Sequence, residues 1–356
     1  MNKLVSKRKT KRSKNRKASI FKPILLLGLL GSGFFLYQET NDRFIEKQIS
    51  ETENPVQSNR IPNEKPKETG VLASVKESVE EMNFGERASA PIIDIAGLRS
   101  TNAILIDRET GKVLVDKKSE EKIFPASLTK IMTVLLGIEQ LGNLDQQTIM
   151  KEEYFEGLIE MDASVAGFQI GEKVSYRDIL YGAILPSGAD SCLAIAHLLY
   201  SSEELFVEQM NERAKELGLK NTHFSNTTGL HDPQNYSTVA DIASLLEYAL
   251  QNPEFSTIFG TRQFTTSPTN LSLDGLEMKS SMFKFTKDFP QLDSLLKGGK
   301  TGFTEEAGLC LASIAEINNK QYLLVTVGAP FEVEDEADEH LHIQDAASIY
   351  LQLVGN

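Results

Sequence analysis

Apolar residues recur at regular spacing from about Pro91 onward, and the spacing changes from element to element. Asn102–Asp107 and 112–116 are short apolar runs joined by Arg-Glu-Thr-Gly, which predicts a β-hairpin. Residues 128–141 carry Ile131, Met132, Val134, Leu135 and Ile138 at helical spacing, so a helix is predicted to open at Ser127. From about 143 to 260 the pattern reads mostly as helices and loops, including helices at 190–200 and 202–217, the second stopped by Gly218. Strand patterning returns at 309–317 and 321–328, on either side of Asn318-Asn319-Lys320, a second hairpin signal. A last helix is expected over about 343–353. Strands at both ends with helices between predict one sheet drawn from both ends of this region. A helical part then forms the other wall of a cleft.

The N-terminal part follows a different pattern. Residues 1–22 hold 10 of the 37 Lys and Arg and no acid, so the rest carries 27 bases against 50 acids. An apolar run from Ile24 to Tyr37 follows, and a cationic head before such a run is an export signal with its positive side kept in the cytoplasm. Two readings stand. One is a single-pass anchor at 23–37, although a spanning helix usually takes about 20 residues. The other is a cleaved signal with secretion, although the small-residue site Ala88-Ser89-Ala90 lies far downstream. Residues 38–85 are polar and poor in apolar side chains, which predicts a linker with at most a short helix near 71–82. The expected organisation is therefore a basic tail (1–22), an anchor or signal (23–37), a linker (38–85) and a folded domain (86–356).

Composition narrows the functional classes. Cys192 and Cys310 sit in apolar company and read as buried free thiols. The acidic stretch 332–339 reads as a solvated loop. The adjacent His340 and His342 do not make up the four ligands of a structural zinc site, so no metal or cofactor is expected. An acidic domain argues against a nucleic-acid partner, and the basic tail suits anionic lipid.

Three short motifs carry the chemistry. Ser127 and Lys130 lie three apart at a helix start, one face apart by one turn, where an amine with a depressed pKa can take the serine proton. Alone, this pair is better read as an N-cap and a solvated lysine. The spacing recurs at Ser281/Lys284 and elsewhere. Ser187, in Pro186-Ser187-Gly188-Ala189-Asp190, is a second hydroxyl or another N-cap. Lys300-Thr301-Gly302 follows Gly298-Gly299 and reads as an edge strand entered through a flexible turn, with Gly302 leaving room for a substrate backbone.

Together with Asn226-Thr227-Thr228-Gly229-Leu230, Tyr236-Ser237-Thr238 and Phe303-Thr304 after the last motif, the set resembles the D-alanyl-D-alanine carboxypeptidases among the low-molecular-mass penicillin-binding proteins. The resemblance implies a β-lactamase/D,D-peptidase-like α/β (α+β) fold, with a five-stranded, mainly antiparallel sheet flanked by helices plus an all-helical region. It implies Ser127 as nucleophile, Lys130 as general base and Ser187 as proton relay. Backbone N–H groups of Ser127 and Phe303 form an oxyanion hole, while Lys300, Thr301 and Gly302 bind substrate. The implied partners are a peptidoglycan stem peptide ending in D-Ala-D-Ala and β-lactam antibiotics. Two positions depart from the family pattern. Ala189 stands where an asparagine is usual. Ala240 stands where some relatives carry an arginine for the substrate carboxylate, which leaves that carboxylate to Thr301, Lys300 or a group not yet identified. A catalytically weak binding protein is the alternative that Ala189 favours. A β-lactamase is a further one, without a Glu-x-x-Leu-Asn pattern to supply its deacylating base. Many relatives also add a β-rich domain and a C-terminal amphipathic helix. Neither is recognised here, which makes the N-terminal segment the expected anchor.

Overall fold

A computed structural model describes residues 93–331 and 340–355. The tail, the anchor or signal segment, the linker and the candidate helix at 71–82 lie outside the described residues. Among the described residues no helix is long and apolar enough to cross a membrane.

β1 (Asn102–Asp107) is buried along its whole length because helices cover both faces of its sheet. Ile104 and Ile106 point into a large cluster shared with the helical region. Ala103 and Leu105 point into a smaller one shared with the C-terminal helix. This period-two alternation divides the core into two layers. β1 pairs with β2 (Val113–Lys117) as the expected hairpin. Two short strands, β3 (Gln147–Ile149) and β4 (Lys173–Ser175), pair with each other, as do β5 (Gln263–Thr265) and β6 (Glu277–Lys279). β7 (Leu296–Thr304), β8 (Gly308–Ile317) and β9 (Lys320–Ala329) complete the main sheet, in the order β2-β1-β9-β8-β7, with every pairing antiparallel. This is the five-stranded α/β fold that the resemblance implied. The β8–β9 turn places Asn318 and Asn319 at φ of 52° and 63°, the left-handed pair that a two-residue hairpin turn requires.

α1 (Lys130–Gln140) is the central helix of the helical layer, buried from Lys130 through Gly137. A single 3-10 turn, Ala126–Thr129, precedes it. The predicted helix start is therefore a tighter turn that carries Ser127. α2 (Tyr176–Ile184), α3 (Ala189–Tyr200), α4 (Glu203–Glu216), α5 (Val239–Ala249) and α6 (Pro253–Gly260) make up the rest of this layer. Gly137 allows a close approach: a Cβ there would lie 2.9 Å from Leu180 and 3.2 Å from Ile195. On the opposite face of the sheet lie the short helices α7 (Ser281–Phe285) and α8 (Pro290–Leu295) and the C-terminal α9 (Leu341–Val354). Buried Asp345 ties α9 to the approach of β1, accepting from the backbone of Arg99 and Ser100 and from the Ser100 hydroxyl.

Gly298 and Gly299 are not a flexible entry to β7, as their sequence suggested. They lie inside the strand, next to an irregular register between Leu296 and Gly298. They are small because the strand runs tight against α6 and α7. A Cβ at Gly298 would sit 2.7 Å from the Phe259 carbonyl oxygen, and one at Gly299 would sit 2.1 Å from Met282 Sδ. Gly298→Ala should therefore lower stability by about 1–3 kcal/mol, because backbone must move. Gly97→Ala meets open space and should change stability by no more than about 0.5 kcal/mol. Urea denaturation of the two full-length variants checks this, and equal midpoints would contradict it.

Candidate active site

Edge strand β7 distributes its motif over two faces. Lys300 pairs with Ala312 and Gly302 with Cys310, on the face of the helical layer; Thr301 pairs with Leu311, on the face of α9. Gly302 is where the 3-10 turn docks. A Cβ on it would lie 2.9 Å from Ser127 N and 3.2 Å from Ala126 Cβ. The glycine thus makes room for the protein's own turn. This docking places Ser127 beside the strand.

Ser127 is half-buried, and Lys130 Nζ lies 3.0 Å from its Oγ. Lys130 is only 3% exposed. Its ammonium also donates to the Thr228 carbonyl at 2.5 Å, and Thr133, one turn on, donates to the Thr227 carbonyl at 2.7 Å. The 226–230 segment exists to present these carbonyls. Asn226 Oδ1 accepts from the backbone N–H groups of Thr228 and Gly229, which fixes the turn. Gly229 has a φ of 79°, and a Cβ there would overlap the Ala126 carbonyl oxygen at 1.9 Å. Ala126 itself takes a φ of 45°, a conformation that costs a non-glycine residue about 1 kcal/mol or more.

Lys300 is fully buried and donates to the Thr301 carbonyl at 2.8 Å. Burial lowers the pKa of both lysines. Lys300 falls well below its ordinary value, helped by the Lys130 charge, while Cys192 and Asp190 partly restore Lys130. Asp190, likewise buried, is raised to about 6, chiefly by desolvation. Its Oδ1 accepts from Ala166 N at 2.8 Å and its Oδ2 has no partner among the described residues. Cys192 and Cys310 are free, buried thiols pushed up to about 12, as inert as their sequence setting suggested.

Ser187 is not the N-cap of α3; Gly188 is. Ser187 instead takes a φ of 67°, strained for a serine, and lines a cleft of about 450 Å³ together with Ser127, Thr301, Gly302 and Phe303. The two lysines do not line this cleft. Ala189 is buried in the first turn of α3, and Ala240 is half-buried in the first turn of α5; neither lines the cleft. The sequence reading missed two residues that do. Ser281, set aside as a chance spacing with Lys284, shares a 2.5 Å hydrogen bond with the Thr301 hydroxyl. His342, assigned to the border of a solvated loop, is only 1% exposed and lines the cleft wall. The regular apolar pattern of α9 places position 342 on its buried side, and this was the available signal. Among the described residues no cluster of His, Cys, Asp and Glu could hold a metal ion.

The chemistry and the known relatives point the same way. The family model described as D-alanyl-D-alanine carboxypeptidase matches residues 86–331. D-alanyl-D-alanine carboxypeptidase DacF of Bacillus subtilis is 36% identical over 249 residues, covering 70% of this chain and 62% of the relative. DacC of Escherichia coli is 33% identical over 233 residues, covering 64% and 56%. The chain thus spans less than two thirds of the length of either relative. The crystal structure of a Streptomyces DD-transpeptidase superposes with a TM-score of 0.62 at 27% identity, covering 72% of this chain and 100% of that one.

The coupling of Asp190 to Lys130 is testable through its sign. The folded-state pKa of Asp190 is raised from 3.8 to about 6, so its contribution to stability is fullest at low pH and is lost as pH rises through about 6. Asp190→Asn should remove that loss, so the variant gains on the parent between about pH 4 and 6 in thermal unfolding. It also removes a charge that raises the Lys130 pKa. The rising limb of Ser127 acylation against pH should therefore move to lower pH. A move to higher pH would show that Asp190 does not support the charged form of Lys130.

Proposed function

We propose, on the premise that this chain belongs to the D-alanyl-D-alanine carboxypeptidase family, that it is a serine-type D,D-carboxypeptidase that removes the terminal D-alanine of peptidoglycan stem peptides. The observation that carries the reading is the 3.0 Å contact between Ser127 Oγ and the buried Lys130 Nζ. Burial favours the neutral amine, and only the neutral amine can take the serine proton.

Ser127 Oγ attacks the carbonyl between the last two D-alanines as Lys130 accepts its proton. The backbone N–H groups of Ser127 and Phe303 serve the oxyanion; as an early N–H of its turn, that of Ser127 has no carbonyl partner within the turn. Collapse expels D-alanine, with the leaving amine taking its proton from Lys130 through Ser187. Water then releases the acyl group from Ser127. The hydroxyls of Thr301 and Ser281 meet the substrate's C-terminal end. Lys300, which has no exposed surface, is itself pushed well below its ordinary pKa by burial and by the Lys130 charge. β-Lactams acylate Ser127 by the same attack. The segment at 23–37 is read as a single-pass membrane anchor with the domain outside the cytoplasm, or as a cleaved signal that releases it; neither reading involves a metal or a nucleic acid.

Ala189 favours the second reading, a catalytically weak protein that binds the same ligands. One lost contact costs about 1–3 kcal/mol, which slows an enzyme without silencing it, so the hydrolase reading stands ahead. The deciding experiment measures D-alanine release from a diacetyl-Lys-D-Ala-D-Ala peptide and penicillin labelling, with Ser127→Ala as control. Release and labelling should both vanish in Ser127→Ala. Labelling without release in the parent would favour the binding protein, and labelling that survives Ser127→Ala would remove the nucleophile assignment. The acylation rate should climb with pH and level off below the ordinary lysine range, because the Lys130 pKa is lowered and the protonated amine cannot act as base. Ala189→Asn should keep or raise turnover.

A further inference from the structure

A ligand that brings a carboxylate into this cleft needs a cationic partner there, and no lysine or arginine lines it. Among the described residues that line it, only Asp162 and His342 are titratable, and only His342 can become positive. This premise rests on the reading of the cleft as one that receives a substrate's terminal carboxylate.

His342 is an unusual histidine. It is 1% exposed, its Nδ1 has no hydrogen-bond partner among the described residues, and its ring still lines the cleft. A buried ring nitrogen without a partner is costly, and such a cost persists where a ligand supplies the partner. The surroundings are mostly apolar. Phe285 of α7, itself a cleft residue, stands edge-on to His342 with ring centroids 6.0 Å apart. Leu309 and Leu341 pack at the start of α9. The hydroxyl pair of Thr301 and Ser281 opens on the same cleft.

We propose that His342 is the residue that reads the terminal carboxylate of the substrate, and that it takes up one proton from solvent as that carboxylate enters beside Thr301 and Ser281. The imidazole becomes imidazolium and donates to the carboxylate, so the incoming negative charge is neutralised by one positive charge. In the empty cleft the ring is neutral. Burial, then the neighbouring His340, push its pKa down to about 3. An anion at the ring acts in the opposite direction.

The groups around the ring leave this role to the ligand. On its own segment, His340 is the like-charged neighbour, and Asp345 one turn on is already committed to Arg99 and Ser100. From α7, Lys284 lies over the Phe285 ring. From β7, Lys300 is buried and bonded to the Thr301 carbonyl. Asp162 stands among the cleft residues as a carboxylate that repels a second one. The acidic residues at 332–339 adjoin His340 in sequence. His342 is thereby a specificity residue: it distinguishes a peptide ending in a free carboxylate from one that continues.

Binding linked to proton uptake weakens as pH rises, the reverse of the trend set by Lys130. The two are separated by comparing ligands that differ only in the carboxylate. Acylation of Ser127 in the full-length chain is timed with benzylpenicillin and with its methyl ester, in the parent, His342→Gln and His342→Arg. His342→Gln should slow the free acid by about tenfold to a hundredfold, the worth of a charge-assisted hydrogen bond, and the ester by less than about twofold. The parent's preference for acid over ester should fall as pH is raised, whereas His342→Arg, charged throughout, should keep a preference that does not vary with pH. Equal slowing of acid and ester in His342→Gln, or a parental preference that is flat with pH, overturns the proposal. If His342→Gln does not fold, the parent's own pH dependence still decides. The comparison does not use D-alanine release, so a chain that is acylated but releases none would reject the carboxypeptidase reading and leave the His342 result readable.

Discussion

The site depends on keeping two lysine ammonium groups out of water. Lys130 and Lys300 are buried in the seam between edge strand β7 and the turn before α1, and each donates to a backbone carbonyl. Desolvation drives such a buried ammonium toward the neutral form, and in Lys300 the Lys130 charge adds to it. In most surroundings that is a liability. Beside a serine hydroxyl it supplies a base that water-exposed lysine cannot be at neutral pH. The neighbouring structure maintains this seam. The Asn226 turn presents the Thr228 carbonyl, Gly229 passes under the Ala126 carbonyl, and Gly302 admits the Ser127 turn. Asp190 limits how far the Lys130 pKa falls.

The same strand serves both sides of the cleft because side chains alternate along it. Lys300 and Gly302 face the helical layer, where the base and the nucleophile lie. Thr301 faces the α9 side, where Ser281 and His342 wait. β7 is the edge strand of the sheet, and the 3-10 turn docks on its helical-layer face at Gly302. Strain is concentrated at the same place. Ala126 and Ser187, both buried, take positive φ there.

Much of this was legible in the sequence, for physical reasons that can be named. The β1–β2 and β8–β9 hairpins and α1 were visible because their apolar periodicity is strong and their turns carry the residues that positive φ demands. The Ser127, Ser187 and Lys300 segments were visible as motifs. Their convergence follows from a sheet built from β1 and β2 together with β7, β8 and β9, which the order of strand patterns suggested. What the sequence obscured were contacts between distant segments. Gly298 and Gly299 read as a hinge because nothing local reveals Phe259 and Met282 against them. That Gly302 also admits the Ala126 turn was hidden because that turn lies far away in the chain. Ser281 was one Ser-x-x-Lys spacing among several until Thr301 was placed beside it. His342 was hidden by the acidic residues that precede it, although its own helix is apolar on the side that it shares.

The central claim is that burial lowers the Lys130 pKa and so favours the neutral amine that acts as base. Its most direct measurement is an NMR titration of the full-length chain carrying isotope-labelled lysine, with the Lys130 signal identified by its loss in Lys130→Arg. The account predicts that this signal titrates clearly below the ordinary lysine value of 10.5. It should move further below that value when Asp190→Asn removes a charge that raises it. A Lys130 signal that titrates at the ordinary value would contradict the account, because the serine would then lack a base at the pH where the cleft must work.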